Sequence, residues 1–371
     1  MGASMAHEKT APRWRGVTWV VVMGVFVVPQ AGVAQTSSTT TFSGQAQVVQ
    51  ATVPPLSPIT IADTGPLPSS GGAQEASLLD VPAIAVGNVA ALNGADVAHA
   101  AAVGRGNASR SEASVADVDL TVAGNTITAD FLMSRAAATC NGSTASVSGS
   151  SDLATLTING QTIAISSAPN QTLQLPLNAG SVVINEQSGS AAGQSGSMDV
   201  NALHVVANNP TPGGPPLADI VISHAHADIS CPASPPPLPS CDTAPADFVT
   251  GGGWIVSPTN PNAKATFAVA GGIKNGFWGH LMYIDHGNNL RAKGTAVTGY
   301  DFYPPFGPNG RKVLGSADVG GNSEQYEADV ADNGEPGGNV DRFQLQLNGA
   351  TVATDSRLGG GNIQLHKPAC Q

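Results

Sequence analysis

The stretch Val115-Ala-Asp-Val-Asp-Leu-Thr-Val-Ala-Gly-Asn-Thr-Ile-Thr-Ala-Asp-Phe-Leu132 decides the fold class. Apolar and polar residues alternate on both sides of Gly124-Asn125, the period of two that turns one face of a strand to a core and the other to solvent. Residues 153–165 repeat the pattern around Asn159-Gly160, the dipeptide best suited to a two-residue type I′ hairpin, in which both central residues need positive φ. Two such hairpins close together predict an antiparallel sheet.

Outward from this stretch, residues 43–53, 181–185, 200–206 and 217–229 read as further strands, punctuated by Pro54-Pro55, Pro66 and Ser69-Ser70-Gly71-Gly72. The Ala-rich run 89–103 is ambiguous, since alanine favours helix while its neighbours favour strand. The reading leans to strand and loop. Many short strands, Gly/Asn turns and no amphipathic helix predict a β-sandwich for residues 42–231.

Cys231-Pro-Ala-Ser-Pro-Pro-Pro-Leu-Pro-Ser-Cys241 follows as a stiff spacer. Between Gln35 and Cys231 the only aromatics are Phe42 and Phe131, whereas residues 248–371 are Gly-rich and hold all four tyrosines. Strands are expected at 265–270, 281–285 and 342–347, the last running through Asn348-Gly349 into 350–353. The expectation is therefore an all-β chain of two β-sandwich-like modules, 42–231 and 248–371, joined by a Pro-rich linker at 232–247. The glycine triplets 251–253 and 359–361 adjoin β-prone segments and read as close backbone packing or turns.

The chain's 371 residues suffice for two domains. Lys9, Arg13 and Arg15 precede an apolar run from Val17 to Val28, then Pro29 and the small residues Ala31, Gly32 and Ala34. This is the pattern of a secretory signal over residues 1–34, with cleavage expected after Ala34 and a disordered polar lead at 35–41. No other segment is long and apolar enough to span a bilayer. Cleavage leaves 12 Lys and Arg against 25 Asp and Glu, with no Lys or Arg between Arg135 and Lys264. Such a surface repels phosphate, which argues against nucleic acid and anionic membrane as partners.

Export makes disulfides the default for the four cysteines. Joining Cys231 to Cys241 would fold a five-proline insert back on itself, although such inserts prefer to be extended and disulfide Cα atoms stand roughly 5.5 Å apart. Pairing of Cys140 with Cys231 and of Cys241 with Cys370 is the favoured arrangement, one bridge per module.

Residues 61–72 (Ile-Ala-Asp-Thr-Gly-Pro-Leu-Pro-Ser-Ser-Gly-Gly), Ser111-Glu112-Ala113-Ser114, residues 120–127 (Leu-Thr-Val-Ala-Gly-Asn-Thr-Ile), residues 156–161 (Leu-Thr-Ile-Asn-Gly-Gln) and residues 225–231 (Ala-His-Ala-Asp-Ile-Ser-Cys) occur in that order. Together they resemble the choice-of-anchor P family of exported bacterial proteins. Gly251-Gly252-Gly253-Trp254, Asp332-Asn333-Gly334-Glu335-Pro336-Gly337 and residues 360–366 (Gly-Gly-Asn-Ile-Gln-Leu-His) resemble the module that often follows it. The resemblance implies location and architecture and carries no catalytic residue. Residues 366–371 (His-Lys-Pro-Ala-Cys-Gln) are neither a sorting motif nor an apolar tail, so free secretion or non-covalent surface retention is expected.

Three constellations invite a chemical reading. His224 and His226 share a strand face with Asp228, a spacing that lets two imidazoles reach one metal, and His204 is a further candidate. The competing reading is a polar outer face with Ala225, Ala227 and Ile229 turned inward. Asp329, Asp332, Glu335 and Asp341 supply hard oxygens suited to calcium, without EF-hand spacing, and acidic turns are commonly just solvated. Trp254, Trp278, Tyr283, Tyr300, Tyr303 and Tyr326 could stack a sugar, or could simply form the core of the second module. Nucleophile-elbow, His-Glu-x-x-His and P-loop signatures do not occur. The resulting expectation is a secreted, extracellular or loosely surface-associated, non-enzymatic structural or interaction protein with no assigned cofactor or metal. A glycan- or peptide-binding module and a metal-dependent hydrolase built on His224 and His226 are the alternatives.

Overall fold

The computed structural model describes residues 39–211, 213–233 and 247–367. The signal segment, most of the polar lead, the interior of the Pro-rich spacer, Cys241 and Cys370 lie outside the described residues. The rest is all-β, with strands joined antiparallel into three sheets.

The strands of the first two sheets are β1 (Thr41–Thr52), β2 (Ile59–Asp63), β3 (Gly72–Val81), β4 (Ile84–Val86), β5 (Ala90–Arg105), β6 (Ala108–Val122) and β7 (Asn125–Asn141). They continue with β8 (Thr144–Ala154), β9 (Thr157–Ile158), β10 (Gln161–Thr162), β11 (Gln171–Gln174), β12 (Gly180–Ala192), β13 (Ser195–Ala207) and β14 (Ala218–Ser230). One sheet has the order β11-β12-β13-β14-β1-β2; the other runs β10-β9-β7-β6-β5-β3, with β4 on β5 and β8 on β7. Val48, Ala98, Ala100, Val115, Leu132, Ile184, Leu203 and Ile222 interleave between them as a sandwich core.

The hairpins behave as their sequences require. Asn159 and Gly160 have φ of 50° and 75°, and Ile158 pairs with Gln161 across them. At the β6–β7 turn the central pair is Ala123-Gly124, one residue earlier than the sequence suggests, because Asn125 already pairs with Val122 and bonds the Ala123 carbonyl through its side chain.

The Ala-rich run is strand β5, and residues 97–104 are buried without alternation. Its second face explains this. Ala98 and Ala100 face the sandwich core, while Val97 packs with Ala268, Met282 and Ile284 of a third sheet. A strand covered on both sides loses the polar half of its pattern.

That third sheet comprises β15 (Phe248–Val256), β16 (Lys264–Ile273), β17 (Phe277–Asp285), β18 (Leu290–Phe302), β19 (Gly310–Val319), β20 (Asn322–Ala331), β21 (Arg342–Leu347), β22 (Ala350–Arg357) and β23 (Gly360–His366). The order is β22-β21-β20-β19-β18-β17-β16-β15-β23. Phe267 on β16 stacks on Phe343 of β21 at 3.9 Å between centroids. Five interstrand steps would separate them by about 24 Å on a flat sheet, so the sheet curls around its own core as a half-barrel. The second module thus encloses its core with one curled sheet, where two stacked sheets were the expectation. Bulges in β18 and between β21 and β22 supply local bends.

Close glycine contacts make the curl and its docking possible. A Cβ on Gly253 would meet the Gly360 carbonyl at 2.4 Å, and one on Gly252 would meet Ser114 Oγ of β6 at 2.7 Å. The described residues belong to one compact unit, and the outer face of the curled sheet lies on β3, β5 and β6.

Cys140, at the end of β7, is bonded to Cys231, just beyond β14, with Cα atoms 5.6 Å apart. The bridge ties the two sheets of the sandwich together beside Phe42, Ala136, Met198 and Ile229.

Candidate functional site

The histidines weighed from sequence as metal ligands are satisfied by other partners, as the competing reading of a polar outer face expects. His226 and Asp228 share the outer face of β14, with Ala225, Ala227 and Ile229 inside. His226 Nδ1 lies 2.8 Å from Asp199 and Nε2 lies 3.1 Å from Asp228, while His224 Nδ1 meets the Asn201 side chain at 2.7 Å. His204 bridges Glu186 and Asp219 at 2.8 and 2.9 Å. Hydrogen bonding to Asp199 holds His226 above the usual imidazole range, and Asp219 does the same for His204. This is a ladder of cross-strand polar pairs.

The acidic loop is likewise occupied internally. Asp332 accepts the Leu365 N–H at 2.9 Å, Asp341 accepts those of Asn333 and Ile363 at 2.7 Å each, and Glu335 accepts the Asn362 amide at 3.2 Å. These carboxylates hold β23 in place, and the four weighed as calcium ligands form no cluster of converging ligand atoms. Asp329 is fully buried against Gln344, and burial, with Glu327 nearby, pushes it up to about 7. A folded pKa raised above 3.8 means the native state holds the proton more tightly, so stability falls as pH rises from about 4 to 7. Asp329→Asn should therefore raise Tm at pH 8 and leave it unchanged at pH 4, as read by thermal melts; equal shifts at both pH values would refute this.

Of the aromatics, Tyr283, Tyr300 and Tyr326 are core residues. Trp254 lies under Lys264 with Gly359 and Gly360 against its ring, and Trp278 packs on Phe248. Tyr303 is partly exposed beside Lys312. A groove of about 640 Å³ between the sandwich and the acidic loop is lined by Arg110, Glu112, Arg135, Asp332 and Glu335, with no aromatic residue.

The side chains with chemical potential lie where the curled sheet covers β3, β5 and β6. Ligand atoms of Glu75 of β3, His99 of β5 and His280 of β17 lie within 4.8 Å of one another, and Ser77 of β3 lies among them. Ser77 Oγ is 2.7 Å from His280 Nε2, 3.1 Å from His99 Nδ1 and 3.4 Å from Glu75 Oε2. Glu75 Oε2 also lies 2.7 Å from His280 Nδ1. The seam continues from His99 Nε2 to Glu112 at 3.9 Å, and through Thr250 to His366. Burial pushes His99 down to about 3 and Glu112 up to about 7.

The order Ser77, His280, Glu75 mimics a hydrolase triad. Partners bonded in line with the two diverging ring nitrogens would stand roughly 7 Å apart, yet Glu75 Oε2 and Ser77 Oγ are 3.4 Å apart. The carboxylate is thus out of line with Nδ1, which has no hydrogen-bond partner. The relay that activates a serine is not assembled.

A second group joins the same sheets. His286 Nε2, just after β17, is 3.1 Å from Asp96 of β5 and 3.3 Å from Asp117 of β6. Asp117 has φ of 50° at a break in both of its ladders, which turns its side chain toward Asp96. Burial, and then Asp117 itself, push Asp96 up to about 7.

Sequence reasoning missed both groups because their members come from strands far apart in the chain. The one local signal was His99, a lone ionisable side chain inside the apolar run 97–103. No family model matches the chain, and comparison with curated proteins and with solved structures gives no match.

Proposed function

We propose that this protein works outside the reducing cytosol as a non-catalytic structural or interaction component, of the kind its resemblance to choice-of-anchor P proteins implies. The observation that carries the reading is the buried Cys140–Cys231 bridge, since structural disulfides persist in oxidising compartments. The all-β build and the acidic balance, at a formal net charge of −11, agree with it. The glycan-binding alternative draws less support, because three of its six aromatics are core residues and the charged groove has none. Fractionation of the source cells, with mass spectrometry of non-reduced peptides, tests the proposal. The expected result is a surface or extracellular protein whose Cys140 and Cys231 peptides are joined. Recovery inside the cell with both thiols open to alkylation would overturn it.

A further inference from the structure

We propose that His99, His280 and Ser77, with Glu75 beside them, form a binding site for one divalent cation of the zinc class at the junction of the sandwich and the curled sheet. The site does not depend on where the protein resides.

Hydrogen-bond accounting leads to this assignment. A neutral imidazole has one N–H and one lone pair, and a hydroxyl donates once. Ser77 Oγ faces His99 Nδ1, His280 Nε2 and Glu75 Oε2 together, and its single proton goes to one of the three. Suppose it donates to His280. Then Nδ1–H of His280 lies on the side of Glu75, though out of line with it, while His99 uses its proton on Ser77 and turns the Nε2 lone pair on the Glu112 carboxyl. In the opposite choice His99 is correctly placed and His280 turns a lone pair on Glu75. With Ser77 donating to Glu75 both outer nitrogens carry lone pairs, so no neutral arrangement satisfies both ends while Glu112 is ionised. In keeping with this, His99 Nε2 and His280 Nδ1 are buried without hydrogen-bond partners.

A cation that accepts the lone pairs of His99 Nδ1 and His280 Nε2 resolves both conflicts at once. Each outer nitrogen then carries its proton on the side of a carboxylate, with Glu112 3.9 Å from His99 and Glu75 2.7 Å from His280 but out of line with the ring. Brought into line by a bound ion, these pairs make the carboxylate–histidine–metal order that supports zinc. The spacing also fits. Donors around tetrahedral zinc at about 2.0–2.1 Å stand roughly 3.3 Å apart, against 2.7 to 3.4 Å between Ser77 Oγ and its three neighbours. Two imidazoles and oxygen donors are a borderline set, better matched to zinc than to calcium or magnesium. Entry is open from the edge strand β3, where Glu75 is 27 % exposed, while His99 is fully enclosed.

The test is calorimetric titration of the EDTA-stripped full chain with Zn2+, and with Co2+ for its visible spectrum. The expected result is one equivalent bound, with Co2+ giving the intense bands of a tetrahedral site. His280→Gln should weaken binding at least tenfold, and His286→Gln at the neighbouring Asp96–Asp117 group should leave it unchanged. The metal-free melting temperature of His280→Gln shows whether that variant folds; if it does not, Glu75→Gln on the exposed edge takes its place with the same expectation. Binding lost in His286→Gln but kept in His280→Gln would overturn the assignment. Absence of binding by either metal would do so too.

Discussion

Replacing Cys140 and Cys231 together with alanine is expected to lower the free energy of unfolding by about 4–5 kcal/mol. The bridge spans 91 residues of sequence, about half of the sandwich's Thr41–Ser230, and the entropy it removes from the unfolded chain grows with the length of the closed loop. Its position adds to the effect. Cys140 ends a strand of one sheet and Cys231 follows a strand of the other, so the bond closes the end of the sandwich where Ala136, Ala138 and Ala145 supply little apolar area of their own. The loss corresponds to a fall in Tm on the order of 10 °C, since each kcal/mol moves a protein of this size by about 2–4 °C. Guanidinium titrations of the parent and the double variant under non-reducing conditions measure it. A midpoint shift worth less than about 1 kcal/mol would mean that the unfolded chain is already compact around this loop, and the entropic argument would fail.

The parts of the fold that were legible before the structure are those set by local chemistry. Asn159-Gly160 and Asn348-Gly349 both occupy the positive φ that a tight hairpin needs, and their flanking strands pair in the register so imposed. Alternation in 225–229 placed the right side chains inside. The glycine triplets, read as close packing, are sites where a Cβ would collide with a neighbouring strand.

What escaped was tertiary. Nothing in a meander's sequence states whether it will stack as two sheets or curl into one; the answer depends on Phe267 meeting Phe343 across five interstrand steps. Glu75, His99 and His280 share no spacing that a motif could capture. They meet only because the curled sheet lies on β5, which also converts an alternating strand into a continuously buried one. The conspicuous histidines, His224 and His226, were noticed because they are neighbours in sequence, and that same neighbourhood gives them cross-strand partners on an outer face.

Where the chain enters the curled sheet, Asp247→Ala is expected to destabilise the protein by about 3–5 kcal/mol, since it strands a buried guanidinium. Arg311 is 2 % exposed; its Nε lies 3.1 Å from Asp247 Oδ1, and an NH2 contact to Oδ2 completes a forked pair. Tyr300 donates to the same carboxylate at 2.8 Å, and Arg311 also donates to the carbonyls of Pro308 and Gly310. Asp247 thereby fastens the first residue of the curled sheet to β18 and β19, on the strands that close its core. The cost of the single change should come mostly from the charge left behind, not from the worth of the pair, because removing both ions from water has already offset much of their attraction. The triple replacement Asp247→Leu, Tyr300→Phe and Arg311→Met removes every member of the network and should recover most of the lost stability. Urea denaturation of both variants separates the two contributions. If the triple variant is no more stable than Asp247→Ala, the network's value lies in its hydrogen bonds to the β18–β19 connection, and the stranded-charge account is wrong.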